Sequence, residues 1–480
     1  MRALARAVLW ICLPAAAAGQ VTRPGELRVP PLPPFDLPQP QRVALDNGMV
    51  VILLEDHELP LISVTALVRA GARLDPKDKV GLAEIACDVM RSGGTERMSG
   101  DALDEYLEDR AAAIEVTAGE SSVTATLSAQ KRDFPDLLRV FADVLRRPAF
   151  DPGKLELARN QAIANVARQN DDPDSVVARE LRKIVYGADS PYARTPTYAT
   201  LRGIRRASVI AWHKEHVHPD RMVLGLAGDF NSAEALDLVR RAFGDWGRGP
   251  RQAPAEIHFR RQPAPGIYFA AKEDMAQSQI VMGHLGVLKS DPDYYALQVL
   301  NDVLAGSFSS RLVADIRTRK GLAYSVDGGV RSDWDHPGIA SLSMSTKTQT
   351  TGAGVAALLE EARGLETQPP TDEEVERARQ SILSSFVFNY DAKAKVLGQQ
   401  LVLELYGYPL DWLARYRAGI EAVTTAAVRT AAARHLHPAD FSILVVGPSQ
   451  GQDRPLSDFG PVTKIDISIP EPRESRPRKN

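Results

Sequence analysis

Three short matches recur in the same order at an almost constant distance, and they constrain the fold more than any other feature of this chain. Asp75-Pro76 returns as Asp291-Pro292, Ala158-Arg159 as Ala378-Arg379, and His216-Val217-His218-Pro219 as His435-Leu436-His437-Pro438, at offsets of 216, 220 and 219 residues. A long period repeated once in register argues for two homologous halves of about 200 residues, each able to bury a core of its own. The apolar pattern stops in the polar, Pro-containing stretch 247–266, which places the boundary there. Strands and helices mix in each half without regular alternation, so the expected class is α+β.

Residues 42–248 form the first expected domain, 249–265 a linker, 266–465 the second domain and 466–480 a loose basic tail. Asp46-Asn47-Gly48 puts a turn directly before a β-branched run ending at Leu54, and Ser63 to Ala70 repeats the strand pattern, which reads as a strand pair followed by a helix. Helices are expected over about 81–90, 100–113, 134–146 and 152–170.

The start of the chain reads as a secretory signal over residues 1–19: Arg2 and Arg6, an apolar run, then Ala15 to Ala18 before Gly19. Cys12 lacks the small preceding residue of a lipoprotein box, since Ile11 stands there. Residues 20–41 are proline-rich and should be an extended arm. No other segment offers a membrane-spanning apolar run, so a soluble protein outside the cytoplasm, in the periplasm, is expected. A net charge of -3 gives no electrostatic reason for nucleic-acid binding. Once the signal is removed Cys87 is the one remaining cysteine, so no intramolecular disulfide can form.

The runs Asp46-Asn47-Gly48, Ala70-Gly71-Ala72-Arg73, Gly81-Leu82-Ala83 and Ser190-Pro191-Tyr192, with Ser309-Ser310-Arg311-Leu312 and Gly321-Leu322-Ala323-Tyr324-Ser325-Val326 later, resemble the pitrilysin (insulinase) family of zinc metallopeptidases. The likeness covers residues 42 to 450. It implies two homologous metallopeptidase-like α+β domains facing each other around a chamber. Active members carry His-x-x-Glu-His on the helix after Gly-Leu-Ala, where two His at i and i+4 bind zinc, the Glu polarises a metal-bound water and a distant Glu completes the set.

This chain departs from that pattern at every one of those positions. His, Glu and His become Glu84, Cys87 and Asp88, and the distant Glu becomes Asn165. Two carboxylates and an amide favour hard cations only weakly, and a solvated acidic face is the competing reading. His213, His216 and His218 lack the i, i+4 pair and read as surface or helix-capping residues. No metal is therefore expected in this chain, and Cys87 as a nucleophile lacks a neighbouring base.

The second half does keep a feature of the family. Arg317 and Tyr324 match, by the resemblance, the Arg and Tyr that reach across the chamber to a peptide. A guanidinium offers donors to carbonyls, and a phenol can donate to an oxyanion beside zinc. The competing view is an Arg ending a helix and a Tyr packing on a strand. The resemblance implies a non-zinc subunit of a periplasmic heterodimeric peptidase, with zinc and the general base in a homologous partner and a peptide substrate between them. The other class is an inactive scaffold, as in the peptidase-like core subunits of the respiratory bc1 complex. Ala305 departs from the family's usual Gly and leaves the nearby loop open.

Overall fold

The computed structural model describes residues 38–250 and 258–469. The signal assigned to 1–19, almost all of the arm, the middle of the linker and the end of the tail lie outside the described residues.

The first half contains β1 (Gln41–Ala44), β2 (Val50–Glu55), β3 (Leu61–Val68), a short pair β4 (Gly94–Thr95) and β5 (Met98–Ser99), β6 (Ala113–Ala118), β7 (Val123–Gln130) and β8 (Met222–Gly228). Its helices are α1 (Leu82–Ser92), α2 (Gly100–Glu108), α3 (Phe134–Arg146), α4 (Pro152–Ala167), α5 (Pro173–Tyr186), α6 (Tyr198–Gly203), α7 (Arg206–His216) and α8 (Ser232–Phe243). The second half contains β9 (Gly266–Ala271), β10 (Gln277–Leu285), β11 (Val287–Leu288), β12 (Ala323–Val330), β13 (Ser332–Asp333), β14 (Ile339–Lys347), β15 (Ser442–Gly447) and β16 (Val462–Ile465). With them come α9 (Tyr294–Ala305), α10 (Thr351–Thr367), α11 (Asp372–Asn389), α12 (Lys393–Tyr406), α13 (Trp412–Glu421) and α14 (Thr425–His435).

Each half builds a six-stranded sheet, in the orders β1-β2-β8-β3-β7-β6 and β12-β14-β10-β15-β9-β16. Read from opposite ends, five strands of each order correspond, β2-β8-β3-β7-β6 with β9-β15-β10-β14-β12, as a duplication requires, and the α+β expectation holds; the sixth differs, β1 preceding β2 and antiparallel to it while β16 follows β15 and runs parallel to β9. The expected pairing of the first two long strands does not: β8 lies between β2 and β3, parallel to one and antiparallel to the other. The apolar runs of β2 and β3 marked strands correctly but carried no information about the partner arriving from residue 222.

β8 is buried at every position, Met-Val-Leu-Gly-Leu-Ala-Gly, the continuous apolar run of a strand covered on both faces. One face belongs to the first half's own core, with Val51, Leu53, Val64, Leu224 and Leu226 against α1 and α3. The other face is covered from the second half: Leu397, Leu401 and Leu405 of α12 pack on Ile52, Leu54, Leu67 and Val223. Gly225 makes this contact possible, because a Cβ there would lie 2.7 Å from Leu401 Cδ1. The exchange is reciprocal. Val176, Leu181, Ile184 and Val185 of α5, from the first half, pack on Val281, Leu444 and Val446 of the second sheet.

Helix ends differ from expectation where the chain turns. α3 spans the expected residues, but α2 stops at Glu108, and Ala111 enters the left-handed region at φ 46° before β6 begins. α4 stops at Ala167 rather than near residue 170, and Asp172 caps α5 through the Ser175 N–H.

Candidate functional site

α1 presents two faces. Leu82, Ile85, Ala86, Cys87, Val89 and Met90 point into the core, while Glu84 and Asp88, four residues apart, are exposed together. Both carboxyls are pushed above their ordinary range because the surrounding protein desolvates them. Glu84 has no hydrogen-bond or ion-pair partner among the described residues.

The start of α1 is fixed by a residue of the repeated motif. Asp75, 3% exposed, accepts from the Gly81 N–H at 2.8 Å and the Ala83 N–H at 3.0 Å. Burial pushes its carboxyl up to about 7, with the negative charge of Glu84 adding to the effect and the backbone N–H groups opposing it. Cys87 is fully buried and burial pushes its thiol up, so it is a core residue rather than a nucleophile. Asn165 is exposed on α4, which packs against α1, and its Oδ1 accepts from Gln161 Nε2 at 3.3 Å.

The outward face of α1 with Asn165 of α4 thus offers carboxylates and an amide with no imidazole or thiolate, a set that does not fit zinc. His213 and His216 are buried with pKa values lowered by desolvation; His213 Nε2 donates to Leu145 O at 2.8 Å. His218 Nε2 donates to Lys214 O at 2.7 Å and closes the end of α7. One trio of metal-type donors converges among the described residues, Asp291, Asp293 and His435, with ligand atoms within 4.8 Å of one another. Asp293 Oδ2 is already held by Arg434 at 2.7 Å and His435 at 2.8 Å, so side chains neutralise that carboxylate.

Arg317 and Tyr324 are brought together, each at an irregularity of the backbone. Residues Val313–Arg319 form a π-helical turn, with the Lys320 N–H reaching Asp315 O at 2.8 Å. Such turns are rare and concentrate at functional positions. Asp315 anchors this turn through ion pairs with Arg319 and Lys320, and Gly321 leaves it at φ +63°. Tyr324 is the extra residue of a β-bulge: Ala323 pairs with Thr346 and Ser325 with Ser345, and Tyr324 is skipped. A bulge re-aims a side chain, and Tyr324 is 81% exposed on β12, an edge strand.

The Arg317 guanidinium lies over two rings, 5.2 Å from the centroid of Tyr324 and 5.0 Å from that of Phe308. Arg317 makes no hydrogen bond or ion pair among the described residues, so its donors are unused there. Phe308, 76% exposed, was not singled out in the sequence. The signal available was a lone aromatic in a run of small residues, Gly306-Ser307-Phe308-Ser309-Ser310. No hydrogen bond, ion pair or ring contact joins this group to Glu84, Asp88 or Asn165 among the described residues.

Comparison with known proteins agrees with this architecture. Residues 50–195 match the model of insulinase (peptidase family M16), and residues 203–382 that of the peptidase M16 inactive domain. An uncharacterized zinc protease, YmxG, of Bacillus subtilis is 23% identical over 413 residues, 85% of this chain and 98% of that protein. A non-peptidase homolog, also named YmxG, of Helicobacter pylori is 24% identical over 75% of this chain and 83% of its own length. Among solved structures, a peptidase M16 inactive domain from Pseudomonas fluorescens superposes with a TM-score of 0.78 at 24% identity, covering 86% of this chain and 99% of that one. A Helicobacter pylori protease gives 0.76 at 15% identity, covering 86% of this chain and 100% of that one. Two models of one family meet near residue 200 and together span about two thirds of the sequence. The chain belongs to peptidase family M16, as a peptidase-like member whose first-helix motif carries no histidine.

Proposed function

We propose that this chain is the non-zinc subunit of a heterodimeric M16 peptidase in the periplasm, lending Arg317 and Tyr324 to a zinc-bearing homologous partner. The observation that carries the reading is the guanidinium of Arg317, held between two exposed rings with its donors unused. In this role Arg317 takes carbonyl oxygens of a peptide, and the Tyr324 hydroxyl donates to the oxyanion that forms beside the partner's zinc. The peptide lies in a chamber and adds as a strand to a sheet edge, for which β12 is suitably placed beside Tyr324. Zinc and the general base reside in the partner, because Glu84, Cys87, Asp88 and Asn165 supply neither.

The test is metal content together with peptide hydrolysis, on the chain alone and mixed with a zinc-bearing homologue. No zinc and no turnover alone, with turnover above the homologue's own on mixing, is the expected result. Arg317→Ala and Tyr324→Phe should lower turnover in the mixture by about 100-fold or more, the loss that removing one oxyanion donor brings. Stoichiometric zinc with turnover in the chain alone would sink the proposal. The name of the Helicobacter relative, a non-peptidase homolog, favours a second reading as an inactive scaffold. A scaffold would bind its partner and leave turnover unchanged in both variants.

A further inference from the structure

A recess of about 550 Å3 opens between the end of α3 and residues 147–150 that follow it, one face of α7, and Trp246. Its wall carries Arg146, Arg147, Arg206 and Lys214 against one carboxylate, Glu96. The whole chain has a net charge of -3, so this concentration of cations does not reflect a basic protein.

Two of the four cations are compensated. Arg146 pairs with Asp245 at 2.7 Å, and Arg147 approaches Asp143 at 3.7 Å. The other two are not. Arg206 donates from Nε to Phe150 O at 2.7 Å and from Nη2 to Ala149 O at 2.8 Å, and a carbonyl fixes the guanidinium without cancelling its charge. The Lys214 ammonium has no hydrogen bond or ion pair among the described residues. The two residues stand eight apart on α7, about 12 Å along the axis at 1.5 Å per residue, so long side chains from both ends reach the same recess.

The remaining lining is mainly apolar and aromatic, with Phe150, Ile210, Val217 and Trp246, together with the imidazoles of His213 and His218, which donate to Leu145 O and Lys214 O. Phe150 is held in the left-handed region at φ 48°, where a bulky residue is a genuine outlier, and the Arg206 fork grips its carbonyl. Unusual backbone of this kind collects at ligand clamps. The Phe150 ring also meets His213 edge-on at 5.4 Å.

We propose that this recess binds a small organic anion with a flat apolar body, an aryl phosphate or aryl carboxylate in class. Arg206 and Lys214 take the anionic group, and the partly exposed Trp246 and Ile210 take the ring. The site shares no residue with the Arg317 group.

The experiment is calorimetric titration of the full chain with phenyl phosphate, with inorganic phosphate, and with vesicles containing phosphatidylglycerol. Phenyl phosphate should bind one to one and more tightly than inorganic phosphate. Lys214→Gln should weaken it at least tenfold while leaving thermal unfolding unchanged. Arg206→Gln should weaken it too, but that residue also pins the 149–150 backbone, so Lys214→Gln is the deciding variant. No binding of phenyl phosphate, equal affinity for the two phosphates, equal affinity in the Lys214 variant, or binding to the vesicles alone would each overturn the proposal.

Discussion

Asp75 connects the sequence motif to the behaviour of the protein at the level of one side chain. Its carboxyl, ordinarily at 3.8, is raised to about 7, so the stability it contributes is fully present below about pH 4 and is lost as pH rises through 7. Asp75→Asn cannot ionise, and its thermal unfolding temperature should vary less than the wild type's between pH 4 and pH 7. Glu374 works in the opposite direction. Burial would raise its carboxyl, but two bonds from Arg311 at 2.7 Å and the cap at Thr371 outweigh this and hold it at about 2. Its contribution is present above about pH 4.5 and is lost as pH falls toward 2. Glu374→Gln should therefore destabilise the protein at pH 7, with the difference from wild type closing by pH 2 in the same melts. The outward pair Glu84 and Asp88 was legible from i, i+4 spacing. The capping role of Asp75 was not, because Asp-Pro marks a turn without showing which N–H groups the carboxylate will meet six and eight residues later.

At the scale of elements, regular structure was the readable part. The amphipathic period of α3 gave its ends, and the halves' similar contents followed from the repeated motifs. The irregular elements that hold the candidate site were hidden. A π-turn differs from an α-turn by one residue inserted into a hydrogen-bond ladder, and a bulge differs from a strand by one skipped pairing. Neither change alters composition or alternation enough to be seen in a sequence. Gly321, which links the two, is the testable point: at φ +63° an added Cβ meets nothing within 4 Å, so the cost of alanine is conformational alone. Gly321→Ala should cost about 1–2 kcal/mol in chemical denaturation. In the mixed-subunit assay it should lower turnover through displacement of Tyr324 relative to Arg317.

For the whole molecule, Leu397, Leu401 and Leu405 at i, i+4 and i+8 and the apolar run of β8 turn out to be the two sides of one contact between the halves. The sequence alone does not show that they meet, because an apolar pattern identifies a covered face and not what covers it. Leu401→Ala, which removes the side chain nearest Gly225, should cost about 2–5 kcal/mol and should do so in one cooperative transition with both halves lost together. Separate melting of the two halves would contradict this. The reciprocal loan of α5 and α12 also bears on how such a chain arose. Two copies of a half-length protein exchanging one helix each would make a closed two-fold dimer with the same buried surfaces. A tandem gene joining them adds only a connection across residues 249–265. Fusion then frees each copy to change separately, so histidines can vanish from one helix while an arginine and a tyrosine persist in the other half, which no symmetric dimer of identical chains could achieve.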